Sequence, residues 1–244
     1  MYNFFKKVIV VTGGKSGNGE SIVKNFLSNN AKVYSLDYKF KKTRIINNNL
    51  IELKVNLEKL SEIKKAVKFI QKKEKNLFLL VNNAGISLNP PKKNIFNYWN
   101  KTLSVNLTAP YFLSFSLLPL LRKTQGSNII NITSLNGKIA MSNNPAYNAS
   151  KGGLSALTFS LAMDFAKYKI RVNGVSPGYI KTDMTKKSFN NSKQFKKRVE
   201  RMMLNSYGAP QDVANTVLFL SSSKAKYINS TEIIVDGGLL KKGI

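Results

Sequence analysis

The chain has 244 residues, enough for one large α/β domain with a sizeable buried core. It contains no cysteine and no histidine. That excludes disulfides, thiolate nucleophiles and Ser-His or Cys-His machinery, and it leaves no ordinary ligand set for zinc or non-haem iron. Lys and Arg number 39 against 12 Asp and Glu, a net charge of +27, so any base must be Tyr, Lys or a carboxylate in a very cationic protein.

The elements follow in order along the sequence. Apolar runs rich in β-branched residues predict strands at Lys7–Val11, Lys32–Leu36, Leu50–Val55, Leu77–Val81, Asn128–Ile132, Arg171–Val175 and Glu232–Val235. Helical patterns fall between them near 18–29, 59–74, 94–104, 107–123, 145–167 and 210–222. Strands alternating with helices predict a doubly wound α/β fold, a parallel sheet covered on both faces. No repeat, linker or composition break divides the sequence, so a single domain over residues 1–244 is expected. Asn144-Pro145 reads as an N-cap and first helical residue. The stretch from Leu107 to Leu121 is apolar almost all round, which predicts cover on several sides and favours a homo-oligomer, a dimer or tetramer. No apolar run of transmembrane length is expected. The start, Met1-Tyr-Asn-Phe-Phe-Lys-Lys, is too short for a signal peptide, so a soluble cytoplasmic protein is the expectation.

The charge admits two readings. A nucleic-acid or acidic-membrane partner is one. The other is a Lys- and Asn-heavy composition spread over solvated helix faces. The cations fall in scattered doublets such as Lys6-Lys7, Lys41-Lys42, Lys72-Lys73 and Lys186-Lys187. No aromatic residues interleave them as stacking platforms would, so composition is the preferred reading and neither a specific nucleic-acid partner nor a membrane is expected.

Two stretches carry chemistry. Thr12-Gly13-Gly14-Lys15-Ser16-Gly17-Asn18-Gly19 follows the first strand and opens a helix. Glycines there let the backbone turn sharply and approach a pyrophosphate at the helix N-terminus. Asp37, ending the second strand, can accept hydrogen bonds from an adenosine ribose and would repel a 2′-phosphate. That favours NAD, while Lys15, Lys39 and Lys41 keep NADP open. Tyr147-Asn-Ala-Ser-Lys151 is the second stretch. Four residues apart on a helix, Tyr147 and Lys151 share a face. A phenol titrates near pH 10 unaided, and a neighbouring ammonium is expected to favour its phenolate.

These motifs do not stand alone. Asn82-Asn83-Ala84-Gly85 follows the fourth strand, then come Asn106, Ser134, Tyr147 and Lys151, Ser176-Pro177-Gly178 with Thr182, and Val235-Asp236-Gly237-Gly238. In this order and spacing the whole sequence resembles the short-chain dehydrogenase/reductase family, with its Thr-Gly-x-x-x-Gly-x-Gly loop and Tyr-x-x-x-Lys site. The resemblance implies a Rossmann-like seven-stranded sheet of order 3-2-1-4-5-6-7 and a nicotinamide cofactor. Carried over residue by residue, it implies that Tyr147 is the general acid/base and that Lys151 lowers its pKa and holds the nicotinamide ribose. It makes Ser134 the hydrogen-bond partner of the reacting oxygen, and Asn106 the residue that keeps a water in the proton path. Cofactor contacts are implied for Gly13, Lys15, Ser16, Gly17, Asn18, Gly19, Asp37, Asn56, Asn83, Ala84, Gly85, Pro177, Gly178 and Thr182. No metal is implied.

Three positions depart from the family's pattern. Asn18 stands for an apolar residue between the last loop glycines, Asn56 for an aspartate beside the adenine, and Asn229-Ser230 for Thr-Gly before the last strand. The expected function is NAD(P)-dependent interconversion of a secondary alcohol and a ketone on a sugar, polyol or related small metabolite. Reduction of a 3-oxoacyl carrier-protein substrate is the alternative, and a basic dinucleotide-fold module that binds nucleic acid is the non-enzymatic one. The segment 178–208 is expected to close over the substrate. Its Lys181, Lys186, Lys187, Lys193, Lys196, Lys197 and Arg198 would suit an anionic one.

Overall fold

Val8, Ile9, Val10 and Val11 are stiff, β-branched and buried, and they form most of the central strand β1, Val8–Thr12. Successive side chains point to opposite faces. Val8 and Val10 join one apolar cluster with Leu36, Leu53, Ile70, Leu113 and Phe165. Ile9 and Val11 join another with Ile22, Phe26, Val81, Ile130 and Val217. Both faces of the sheet are therefore cored, which is why its strands read as continuous apolar runs rather than as alternation.

The protein is represented by a computed structural model that describes residues 2–139, 142–186 and 192–242. After β1 come α1 (Gly17–Ser28), β2 (Lys32–Asp37), β3 (Arg44–Asn47), β4 (Leu50–Lys54), α2 (Leu60–Lys73), β5 (Leu79–Asn82), α3 (Ile95–Leu103), α4 (Ala109–Leu121) and β6 (Asn128–Ile132). Then follow α5 (Pro145–Ala166), β7 (Arg171–Pro177), α6 (Ser192–Val199), α7 (Pro210–Ser221) and β8 (Glu232–Val235). The sheet order is β3-β4-β2-β1-β5-β6-β7-β8. All neighbours are parallel except β3, which runs antiparallel to β4.

The seven parallel strands take the order implied by the family resemblance, and β3 makes the sheet eight-stranded rather than seven. Its four residues are all exposed, so no buried face marked Arg44-Ile-Ile-Asn47 as a strand. A local turn holds it in place. Asn47 Oδ1 accepts from the N–H groups of Asn49 and Leu50, both at 2.8 Å, and Arg44 pairs with Glu52 across the hairpin at 2.6 Å.

The two helices expected at 94–104 and 107–123 are one continuous helix. A π-helical segment, Ser104–Thr108, joins α3 to α4 and carries Asn106. The combined run, Ile95–Leu121, is long and apolar enough to cross a membrane by length and composition, contrary to expectation. Here Ala109, Leu113, Leu117, Leu120 and Leu121 are buried against the sheet, while Tyr111 and Phe115 remain exposed.

Beneath the upper ends of β5 and β6 runs a buried series of polar side chains. Asn82 Nδ2 donates to Asn131 Oδ1 at 2.8 Å, and Asn131 Nδ2 donates to Thr158 Oγ1 of α5 at 2.9 Å. It fixes the register of two strands and of the helix that bears Tyr147 and Lys151.

Ser230, before β8, has φ +57°, the left-handed region that favours glycine. The departure at Asn229-Ser230 is thus a matter of turn geometry, and Asn229 Oδ1 accepts from Val172 N–H at 2.8 Å. The substitution Ser230→Gly is expected to stabilise the protein by about 0.5–1 kcal/mol, relief of left-handed strain outweighing the added freedom of the unfolded state. A urea midpoint that falls instead would contradict this.

Candidate active site

In a parallel sheet with helices on both sides, loops that leave the carboxyl ends of the strands converge on one crevice. The glycine-rich loop after β1, Asp37 at the end of β2, Asn83–Gly85 after β5, Ser134 after β6, Pro177 at the end of β7 and Gly178–Thr182 after it all lie at that edge. Close backbone approach holds the loop together. Gly13 takes φ +67°, and a Cβ on Gly19 would lie 2.0 Å from Gly13 O. A Cβ on Gly17, at φ +58°, would meet Thr182 Cγ2 at 3.2 Å, so the loops after β1 and β7 touch.

Thr12 ties this loop to its neighbour: its hydroxyl accepts from the N–H groups of Asn83 and Ala84, both at 3.0 Å. Asn83 Nδ2 donates back to Thr12 O at 2.9 Å. Asp37 is buried, and its carboxylate accepts from Lys15 N–H at 3.0 Å and Lys39 N–H at 2.9 Å. Those two bonds leave lone pairs for a ribose hydroxyl. Asn56 serves its own turn, its Oδ1 accepting from Glu58 N–H at 3.0 Å and its N–H donating to Glu62 at 2.8 Å.

A nicotinamide dinucleotide fits this edge. Ser16 caps α1 without a side-chain hydrogen bond, so first-turn N–H groups face the crevice as an anion site. Asn18 has a side-chain oxygen buried without a protein partner, which a ligand hydroxyl would satisfy.

The catalytic candidates meet beside it. Asn144-Pro145 opens α5 as expected, and the first turns carry Tyr147 and Lys151. Lys151 is buried, and its Nζ donates to Ile132 O at 2.7 Å. That nitrogen lies 5.8 Å from the Tyr147 ring centroid. A Cβ on Gly85 would lie 3.4 Å from Lys151 Nζ and 3.5 Å from Asn106 Oδ1. Ser134 hydrogen-bonds Tyr147.

The ionisation of the pair differs from expectation. Burial pushes the Tyr147 phenol up, and only the Ser134 hydrogen bond opposes it. Burial also pulls the Lys151 amine down, to about 8. Both groups are desolvated in their charged forms, so Lys151 does not by itself bring the phenol down.

Asn106 is fully buried in the π segment, where its Oδ1 accepts from Ile86 N–H at 2.8 Å. Its Nδ2 donates to Ile86 O at 2.9 Å and to Ser150 Oγ at 3.0 Å. Both amide hydrogens are committed to protein. Ser150 Oγ in turn donates to Tyr147 O at 2.8 Å, so the π segment and the catalytic helix are linked directly. Thr12 opens the glycine-rich motif, whereas Ser150, Asn136 and Asn148 belong to the site and carry no motif weight of their own. The only signal for Ser150 is its place inside Tyr147–Lys151.

The expected lid has a closed base. Lys181 N–H donates to Gly208 O at 2.9 Å, and Gly208 N–H donates to Tyr179 O at 3.0 Å. Residues 187–191 and the side chains of 192–194 lie outside the described residues, Lys187 and Lys193 among them. Arg198 sits 5.2 Å from the Tyr179 ring centroid, its charge directed at an aromatic face.

Known proteins share this sequence pattern and fold. The profile described as Enoyl-(Acyl carrier protein) reductase matches residues 13–240. A 3-oxoacyl-[acyl-carrier-protein] reductase of Chlamydia pneumoniae is 34% identical over 241 residues, covering 96% of both proteins. An NAD-dependent glycerol dehydrogenase of Listeria innocua is 32% identical, covering 97% of this chain and 95% of its own. A solved 4-hydroxyisoleucine dehydrogenase complexed with NADH superposes with a TM-score of 0.90 at 29% identity, over 98% of this chain and 100% of its own. The chain belongs to the short-chain dehydrogenase/reductase family. It is an NAD(P)-dependent oxidoreductase acting on CH-OH groups.

Adding the Cβ that Gly19 lacks should break the loop. Gly19→Ala is expected to weaken NADH binding at least tenfold, read from the fluorescence of the bound dihydronicotinamide. Unchanged affinity would show that the loop does not hold the cofactor.

Proposed function

We propose that the protein interconverts a secondary alcohol and a ketone on a small hydroxylated metabolite, a sugar or polyol, with Tyr147 moving the proton. The observation that carries this reading is Tyr147 hydrogen-bonded to Ser134 on the turn of α5 that also carries the buried amine of Lys151. The bound nicotinamide supplies or accepts the hydride. Tyr147 Oη gives its proton to the carbonyl oxygen in reduction and takes the hydroxyl proton in oxidation. Ser134 holds that same oxygen, and Lys151 holds the nicotinamide ribose. Asn106 acts through Ser150, with any water it keeps held at its main chain.

Amide and hydroxyl groups around Tyr147 support a hydroxylated substrate. Asn144 Nδ2 donates to Ser87 Oγ at 2.6 Å, and Asn136 Nδ2 donates to Asn148 Oδ1 at 3.1 Å. Asp37 favours NAD over NADP. The 178–208 segment is read as the substrate lid, and its Lys181, Lys186, Lys196 and Lys197 suit an anionic group. Reduction of a 3-oxoacyl carrier-protein substrate is the second reading, favoured by the 34% identity to an enzyme of that name.

The protein acts as a single domain in a cytoplasmic homo-oligomer, a dimer or tetramer. Support for the oligomer comes from Tyr111 and Phe115 of α4 beside the long helix α5, where Phe159 and Met163 are also exposed, Met163 to 81%. The +27 charge is read as composition, with no specific nucleic-acid or membrane partner.

A panel of sugars, polyols and acyl thioesters with both cofactors, followed at the nicotinamide absorbance, identifies the substrate class. On the best substrate Tyr147→Phe is expected to lower turnover roughly 10²–10⁴-fold with cofactor affinity retained. Turnover that survives the change would remove Tyr147 from its role.

A further inference from the structure

Ser134 has a neighbour that the proton chemistry above does not use. Asn136 lies two residues on, in a short 3-10 turn, Leu135–Gly137, that leaves the end of β6. Its main-chain N–H donates to Ser134 Oγ at 3.2 Å, and its side-chain Oδ1 lies 3.5 Å from the same oxygen, placed to accept the hydroxyl proton. Its Nδ2 donates to Asn148 Oδ1 at 3.1 Å. Asn148 is the residue after Tyr147, so one amide spans the gap between the strand end that carries Ser134 and the helix that carries Tyr147.

The gap is narrow for a reason. A Cβ on Gly137 would lie 2.9 Å from the carbonyl carbon and oxygen of Lys151 and 3.0 Å from Gly152 N. The turn is therefore pressed against the backbone of α5, and the Asn136–Asn148 bond lies across that contact.

We propose that Asn136, held by Asn148, is a positioning residue that sets the direction of the Ser134 hydroxyl proton. In this arrangement, donation from Nδ2 to Asn148 turns Oδ1 towards Ser134. With Tyr147 neutral, the phenol donates to Ser134 Oγ and the Ser134 proton points to Asn136. When Tyr147 ionises or an alkoxide forms, the Ser134 proton swings to that oxygen and leaves Asn136. The Asn136 acceptor thus stabilises the neutral phenol and gives the hydroxyl a defined resting direction. This inference rests on the proposed role of Tyr147.

The test uses the substrate found in the panel and the full-length protein with its cofactor. Asn136→Leu fills similar volume without an amide, and Asn148→Ala breaks the bridge while leaving the Ser134 turn unaltered. Each is expected to lower kcat roughly tenfold, with KM within about twofold, because orientation and not affinity is lost. Each is also expected to move the ionisation that governs kcat for alcohol oxidation to lower pH, since the neutral phenol loses support. The double variant should be no worse than Asn136→Leu alone, the non-additivity of a shared path. Asn136→Gln, which keeps the amide, should recover part of the loss.

Folded variants with an unchanged pH profile, or single effects that multiply in the double variant, overturn the inference. The underlying reading fails separately, by turnover in Tyr147→Phe. An inactive Tyr147→Phe together with an unmoved profile in Asn136→Leu would leave the reading intact and remove Asn136 alone.

Discussion

An amine buried in a protein must either find acceptors or give up its proton. Lys151 does part of each: its Nζ donates to the Ile132 carbonyl at 2.7 Å, and burial pulls its pKa down to about 8. That arrangement dictates much of what surrounds it. Ile132 must end β6 at this height, so Ser134 falls just beyond, at the crevice. Gly85 lies against this amine, where a Cβ would meet Lys151 Nζ and Asn106 Oδ1 at contact distance. Helix α5 must lie flat enough on the turn after β6 that Gly137 has no room for a Cβ. The hydrogen bonds that join Asn82, Asn131 and Thr158 fix α5 to the same strands from below.

The arrangement also bears on the proton chemistry proposed for Tyr147. Phenol and amine are both desolvated, and each resists its charged form. Burial raises the cost of charge on both groups, and a partner that shares the charge lowers that cost. In the proposed roles, a reacting oxygen between Ser134 and Tyr147 and a cofactor ribose at Lys151 are the groups that would share it. On that proposal, proton transfer is coupled to the presence of both ligands.

Much of this is legible in the sequence. Both faces of the sheet are cored, so the buried strands appear as β-branched runs. The glycine-rich loop and the Tyr147–Lys151 pair are visible because close backbone approach and helical spacing leave residue-level marks. What is hidden has no such mark. Strand β3 buries none of its four residues and is held by a turn and an ion pair. The π segment at Ser104–Thr108 fuses two expected helices, since its cause is tertiary: the bonds of Asn106 to Ile86 and Ser150. The direction of the Tyr147 shift escapes the sequence because spacing places a cation nearby but says nothing about its burial. Asn136 and Asn148 are common residues whose meeting depends on how the turn seats on α5.

The most direct test of the buried amine is nuclear magnetic resonance of protein labelled with ¹⁵N at lysine Nζ, with the Lys151 signal assigned by its loss in Lys151→Arg. The structure predicts that the Lys151 amine titrates at about 8. A Lys151 signal that titrates with the exposed lysines, near the ordinary value of about 10.4, would mean that the amine is solvated, and the account of the site would not stand.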